Sequence, residues 1–154
     1  MVHIHHRGEA AVPADFAFAY MADMSNWKDF VYGLQSFTLV GDVPHRQVGA
    51  LYEGAMKLGV VLKATVELTE YVENEVFASE SVSGFSNQSR WRFEALGPER
   101  GAVTVDVWYQ LPGGLAGKAL GKAIEPFISI AIKHTEAKLV HILEELYRQS
   151  KVDA

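Results

Sequence analysis

Three histidines stand within the first six residues, at positions 3, 5 and 6. In an extended strand His3 and His5 share one face, where two imidazoles can ligate one ion. Side chains this close to a chain end also fit a frayed strand whose histidines face water. That second reading is adopted, and no metal site is expected. His134 and His141 are seven residues apart and stack on one flank of a helix, roughly 100° from its apolar centre. They are expected at the surface, with His141 beside Glu145 at i,i+4. Among the acids, Glu80 alone has a plausible inward position, because its strand alternates ambiguously. A desolvated carboxyl there would be a usable general acid or base; outward, it is a solvated surface group, and this is the expectation. Thr135 sits inside an apolar helical stripe, either bonded back to the carbonyl four residues earlier or in contact with a ligand.

Other chemistries are excluded by residue type. The chain has no cysteine, so thiolate metal sites, disulfides and Cys nucleophiles are absent. The Gly-rich piece PGG followed by AGKALGK places alanine after Gly117-Lys118, where a phosphate loop needs Ser or Thr. There is no GxSxG elbow. No cofactor is expected. The 14 basic and 19 acidic residues give a net charge of −5 without a basic run, which argues against nucleic acid as a partner. No apolar run approaches the ~18 residues of a membrane span, and MVHIHHRGEA has no apolar leader core. The expectation is a soluble cytoplasmic protein without an integral membrane segment. Its oligomeric state, monomer or dimer, stays open.

These side chains need a frame. At 154 residues, 49% hydrophobic and 21% charged, one domain over residues 1–154 is expected, burying about 70% of its unfolded surface. The frame is dominated by its last long stretch, Leu111–Ser150. Ile124, Ile128, Ala131, Ile132, Thr135, Leu139, Ile142, Leu143 and Leu146 fall on one helical face, with Lys133, Ala137, Val140, Glu144 and Arg148 opposite. Ala131 and Thr135 fill little space, so packing midway along this helix should be thin.

Before it, residues 3–12 read as a strand. Pro13 at a first helical position opens a short helix through Met21, and Ser25 caps a second turn holding Trp27 and Phe30, closed by Gly33. Six strands follow between turn residues: Gln35–Val43, Ala50–Leu58, Val60–Tyr71, Val76–Ser83, Gln88–Leu96 and Gly101–Leu111. Tight turns make neighbours antiparallel. Alternation puts Tyr52, Gly54 and Met56 on one face of their strand. It does the same for Leu62, Ala64 and Val66, for Trp91 and Phe93, and for Val103, Val105, Val107 and Tyr109.

In this order the chain resembles the START-like, or SRPBCC, superfamily, and within it the polyketide cyclase/dehydrase-like proteins. The resemblance rests on Val12-Pro13 followed by DFAFAYMAD (15–23), Asn26-Trp27, Val48-Gly49, Val66-Glu67, and Val103–Leu111 running into Pro112-Gly113-Gly114 and the closing helix. It spans nearly the whole chain. It implies an α+β helix-grip fold, a seven-stranded antiparallel sheet wrapped round a long C-terminal helix, with two short helices after the first strand. It also implies a cavity between helix and sheet, which in the family takes lipids, sterols, polyketides or plant hormones and only sometimes catalyses a reaction.

On the faces assigned above, Trp27 and Phe30 from the short helices and Tyr52, Met56 and Leu62 from the strands are expected to line that cavity. Trp91, Phe93, Val107 and Tyr109 should join them, facing Ile128, Ala131 and Thr135 of the long helix. The first expectation for function is a carrier or sensor of a hydrophobic small molecule. The second is a cyclase or dehydratase, with Glu80 or a tyrosine moving protons. The third is a protein-interaction module presenting Phe127 and Ile130, which lie off the apolar stripe.

Overall fold

A computed structural model describes residues 1–152. The strand β1 (Val2–Ala10) leads into helix α1 (Ala14–Ala22), a single 3-10 turn (Met24–Asn26) and the short helix α2 (Trp27–Phe30). Strands β2 (Leu34–Val40), β3 (Leu51–Leu58), β4 (Val60–Val72), β5 (Val76–Gly84), β6 (Asn87–Gly97) and β7 (Arg100–Tyr109) follow, and α3 (Gly114–Val152) closes the chain. The expected fold is therefore present element for element. Two local details differ. Pro13, extended at φ −60° and ψ 147°, precedes the first helical residue rather than occupying it. The second short helical segment is capped by Asp23, whose carboxylate accepts from the Ser25 N–H, not by Ser25 itself.

The seven strands form one sheet in the order β1-β7-β6-β5-β4-β3-β2, antiparallel throughout. Six consecutive strands pair with their neighbours, β2 and β3 across the longer loop of residues 41–50 and the others through tight turns. β1, separated from β2 by two helices, pairs with β7 at the far edge instead. Its nine residues pair continuously, from Val2 opposite Tyr109 to Ala10 opposite Gly101. The terminal strand is thus not frayed: a full ladder ties it down. Bulges in the β2–β3, β4–β5 and β6–β7 pairings add twist and bend, which curls the sheet round α3.

The long helix rests on this sheet at two places. Near its start, Ile124 is buried and the ring of Phe127 lies against Gly59 at the β3–β4 turn. Gly59 has φ +76°, and a Cβ there would stand 2.6 Å from the Ala123 carbonyl oxygen, so only glycine allows this approach. Phe127 therefore seals a turn instead of joining Ile130 in an exposed patch; Ile130 is left exposed alone. Further along, Leu139 and Leu143 sink into a core built from α1, α2 and the adjacent ends of the strands. Phe18, Met21, Phe30, Tyr52 and Phe77 are almost fully buried there. Between the two supports, Ile128, Ala131, Ile132 and Thr135 are only half-buried.

The facing stripe of α3 is not the one expected near its end. Val140 turns inward, Glu144 accepts from the Ala11 N–H at 2.9 Å, and Leu146 is exposed. Each step of four residues advances the stripe about 40° round the helix axis. Over the last turns the inward face has therefore moved onto Glu136, Val140, Leu143 and Tyr147. Glu145 pairs with Arg148 at 2.8 Å rather than with His141.

Candidate functional site

Where the helix bridges the sheet without filling the space beneath it, a cavity of about 340 Å³ opens. This lies at the low end of the roughly 300–1,000 Å³ that small-molecule sites occupy. Its roof is α3, through Ile128, Ala131, Ile132 and Thr135, and its floor is the concave sheet face, through Met56, Leu62, Ala64, Val105 and Val107. Tyr109 lines it as well, and burial, then the charge of Glu125, pushes its phenol above the ordinary tyrosine range. Trp27 and Trp91, with ring centres 5.4 Å apart, separate the cavity from the core.

Nine of the twelve expected residues line this space: Trp27, Met56, Leu62, Trp91, Val107, Tyr109, Ile128, Ala131 and Thr135. Phe30, Tyr52 and Phe93 do not. They lie on the expected faces but farther along their elements, inside the closed core. Phe93 meets Phe18 edge-on at 5.0 Å, and Tyr52 stacks on Phe37 while its phenol bonds His45 Nδ1 at 2.9 Å. Glu80 is exposed on the convex face of the sheet, where Gln88 Nε2 donates to it at 3.3 Å. Its inward reading is overturned. The strand looked ambiguous because Val76 and Ala78, on Glu80's side, are buried beside Arg92 and Arg90, their cross-strand partners.

The cavity's polar groups are few, and most are already bonded. Trp27 Nε1 donates to the Met21 carbonyl at 2.9 Å, and Trp91 Nε1 donates to Ser89 Oγ at 3.2 Å. Ser89 Oγ also bonds Ser79 Oγ at 2.9 Å. Thr135 Oγ1 accepts the Tyr32 N–H at 3.0 Å, so this hydroxyl ties α3 to the α2–β2 turn rather than to its own helix. Among the described residues no buried side-chain nitrogen or oxygen lacks a partner.

The ionisable pair that does face the cavity is one sequence reasoning missed. His6 shares the inner face of β1 with Ile4 and Gly8, and its Nε2 donates to Glu136 Oε2 at 2.9 Å. Gly8 makes room: a Cβ there would stand 2.6 Å from Glu136 Oε1. The odd–even alternation that sends His3 and His5 outward sends His6 inward, and the drift of the α3 stripe brings Glu136 to meet it. Both side chains are about one-third exposed, so the pair stands at the cavity wall and not in the sealed core.

A curved antiparallel sheet gripping one long helix over a largely apolar cavity defines a helix-grip domain of the START type. The chain belongs to the family described as polyketide cyclase / dehydrase and lipid transport, whose model matches residues 1–144. Solved structures share the fold at low identity. The Zhui aromatase/cyclase from a Streptomyces species is 16% identical, with a TM-score of 0.73 over 93% of each chain. A START superfamily protein from Mycobacterium smegmatis is also 16% identical, with a TM-score of 0.71 over 94% of this chain and 98% of its own. Norcoclaurine synthase from Thalictrum flavum, solved with dopamine and hydroxybenzaldehyde, is 13% identical, with a TM-score of 0.65 over 94% and 87%. No curated protein matches. Among the described residues no helix is long and apolar enough to cross a membrane.

Proposed function

We propose that this protein binds a hydrophobic small molecule of the acyl, isoprenoid or polyketide kind in the cavity under α3, as a carrier or sensor. The supporting observation is the lining itself. Its walls are almost all hydrocarbon, and the two indoles, the Ser79 and Ser89 hydroxyls and the Thr135 oxygen among them already have protein partners. Such a surface rewards shape and burial, at about 25 cal/mol per Å² of apolar area, and leaves His6, Glu136 and the Tyr109 phenol to meet a ligand's polar end. The family, which includes cyclases and lipid-transport proteins, is consistent with a ligand of this class. Saturable binding of a fluorescent fatty acid, prenol or aromatic polyketide analogue at one per chain is expected. Absence of saturable binding by all three would refute the proposal.

A second reading, a cyclase or dehydratase, draws on the same pair. A carboxylate holding an imidazole at a cavity wall can take a proton from a bound ligand and return it elsewhere. Replacing Glu136 by Gln keeps the shape and removes the carboxylate. On this reading Glu136→Gln abolishes turnover of a bound polyketide analogue while its affinity stays within a few-fold; on the carrier reading there is no turnover to lose.

A further inference from the structure

The convex face of the sheet, opposite the cavity, carries a second cluster. β1 directs His3 and His5 outward, and the register of β1 on β7 sets His5 directly across from Asp106 and His3 across from Trp108. His3 Nε2 and His5 Nδ1 both donate to the same oxygen, Asp106 Oδ1, at 2.8 and 2.7 Å. The three donor atoms lie within 4.8 Å of one another. Among the described residues no other three histidines and acids converge in this way.

We propose that His3, His5 and Asp106 form a divalent-cation site of zinc type that pins the edge strand β1 to β7. Two imidazole nitrogens and one carboxylate oxygen, with no thiolate, suit zinc, cobalt or nickel rather than magnesium or calcium. Metal–ligand bonds of about 2.0–2.2 Å in a tetrahedral shell set donors roughly 3.3 Å apart. Each imidazole need withdraw only about 0.5 Å from Oδ1 to admit the ion. Both rings are about half exposed and have room to do so. The rest of the cluster already holds the ligands in place. His3 stacks on the Trp108 indole at 4.9 Å, 5° from parallel. Arg92 approaches the other carboxylate oxygen, Oδ2, at 3.3 Å, leaving Oδ1 to the ion. Arg90, which faces Asp106 across the ladder, is drawn away by Glu70 at 3.0 Å. A fourth position stays open to water, as in sites with three protein ligands. Because Ile4, His6 and Gly8 on the same strand line the cavity, an ion here also stiffens one cavity wall.

The test uses tag-free, metal-stripped protein titrated with Co²⁺ and followed by visible ligand-field absorption, with Zn²⁺ as competitor. One Co²⁺ per chain, displaced by Zn²⁺, is expected, with Zn²⁺ slowing amide exchange along β1. Groups that only hydrogen-bond to a metal's ligands change its affinity about 10–100-fold, so loss of a ligand itself, in His5→Ala or Asp106→Asn, should weaken binding about 100-fold or more. His141→Ala, on the exposed side of α3, should bind as the parent does. Circular dichroism confirms that each variant folds, and His5→Ala removes only a half-exposed ring. The absence of a stoichiometric cobalt spectrum overturns the proposal. So does binding that survives either His5→Ala or Asp106→Asn in folded protein.

Discussion

Ala131→Phe separates an open cavity from a packed core. Ala131 lies midway between the helix's two supports, half-buried, facing the cavity with Gly54 and Met56 across from it. In a closed core the added ring would force its neighbours aside at a cost of about 1–3 kcal/mol. For a chain of this size that lowers the melting temperature by roughly 2–12 °C. In a cavity of about 340 Å³ the ring enters space that is already there and removes its own apolar surface from water, so the melting temperature without ligand should hold or rise. The ligand bears the loss. A phenyl group displaces three or four methylene-sized pieces of it, each worth about 0.8 kcal/mol. The sum, about 2.5–3 kcal/mol, corresponds to roughly a hundredfold in affinity; tenfold is the least the reasoning tolerates. Differential scanning calorimetry and a fluorescent fatty-acid titration on the same preparation read both quantities. A clear fall in melting temperature, or unchanged affinity, would refute the argument.

Three other outcomes follow from residues outside the cavity. Gly59→Ala should cost about 2 kcal/mol or more in urea unfolding, because a left-handed φ strains any L side chain by roughly 1–2 kcal/mol and the new methyl meets the Ala123 carbonyl. Glu80→Gln should leave stability within about 0.5 kcal/mol and ligand binding unchanged, since the side chain is exposed on the convex face. Burial foremost, with Asp23's charge for Tyr52 and the Glu73 hydrogen bond for Tyr71, pushes both phenols up to about 12. An unfolded tyrosine ionises near ~10, so this contribution to stability is whole below ~10 and is lost as pH rises toward about 12. Melting temperature against pH should fall in that window, and less steeply in Tyr52→Phe.

Period and alternation made most of the frame readable. Val103, Val105 and Val107 against Thr104 and Asp106, or Leu62 and Ala64 against Lys63, have one solution, and it is the observed one. Alternation reports which face a side chain takes, not how far along the sheet it lies. Tyr52 and Met56 share a face of β3, yet Tyr52 sits under the short helices and Met56 under the bare middle of α3. That difference in depth, which alternation does not report, is what puts Tyr52, Phe30 and Phe93 in the closed core and not at the cavity. The two histidine clusters were hidden for another reason. Their partners, Asp106 and Glu136, are about a hundred residues or more away in the chain, and only the pairing of β1 with β7 and the drift of α3 bring them close. A strand's own sequence says nothing of such partners.

The ladder between β1 and β7 also sets an order of events at the ribosome. Val2 waits for Tyr109, and the cavity waits longer still, since its roof is made of residues from Ile124 to Leu143. Until α3 has emerged, the concave face from β3 to β7 is an apolar trough with no cover, and β7 presents an open edge wherever β1 has not yet docked. Long-range pairings of this kind slow folding and lengthen the exposure of sticky surface. A nascent chain stalled before residue 124 would therefore be a strong client for holdase chaperones, and one released after Val152 would not.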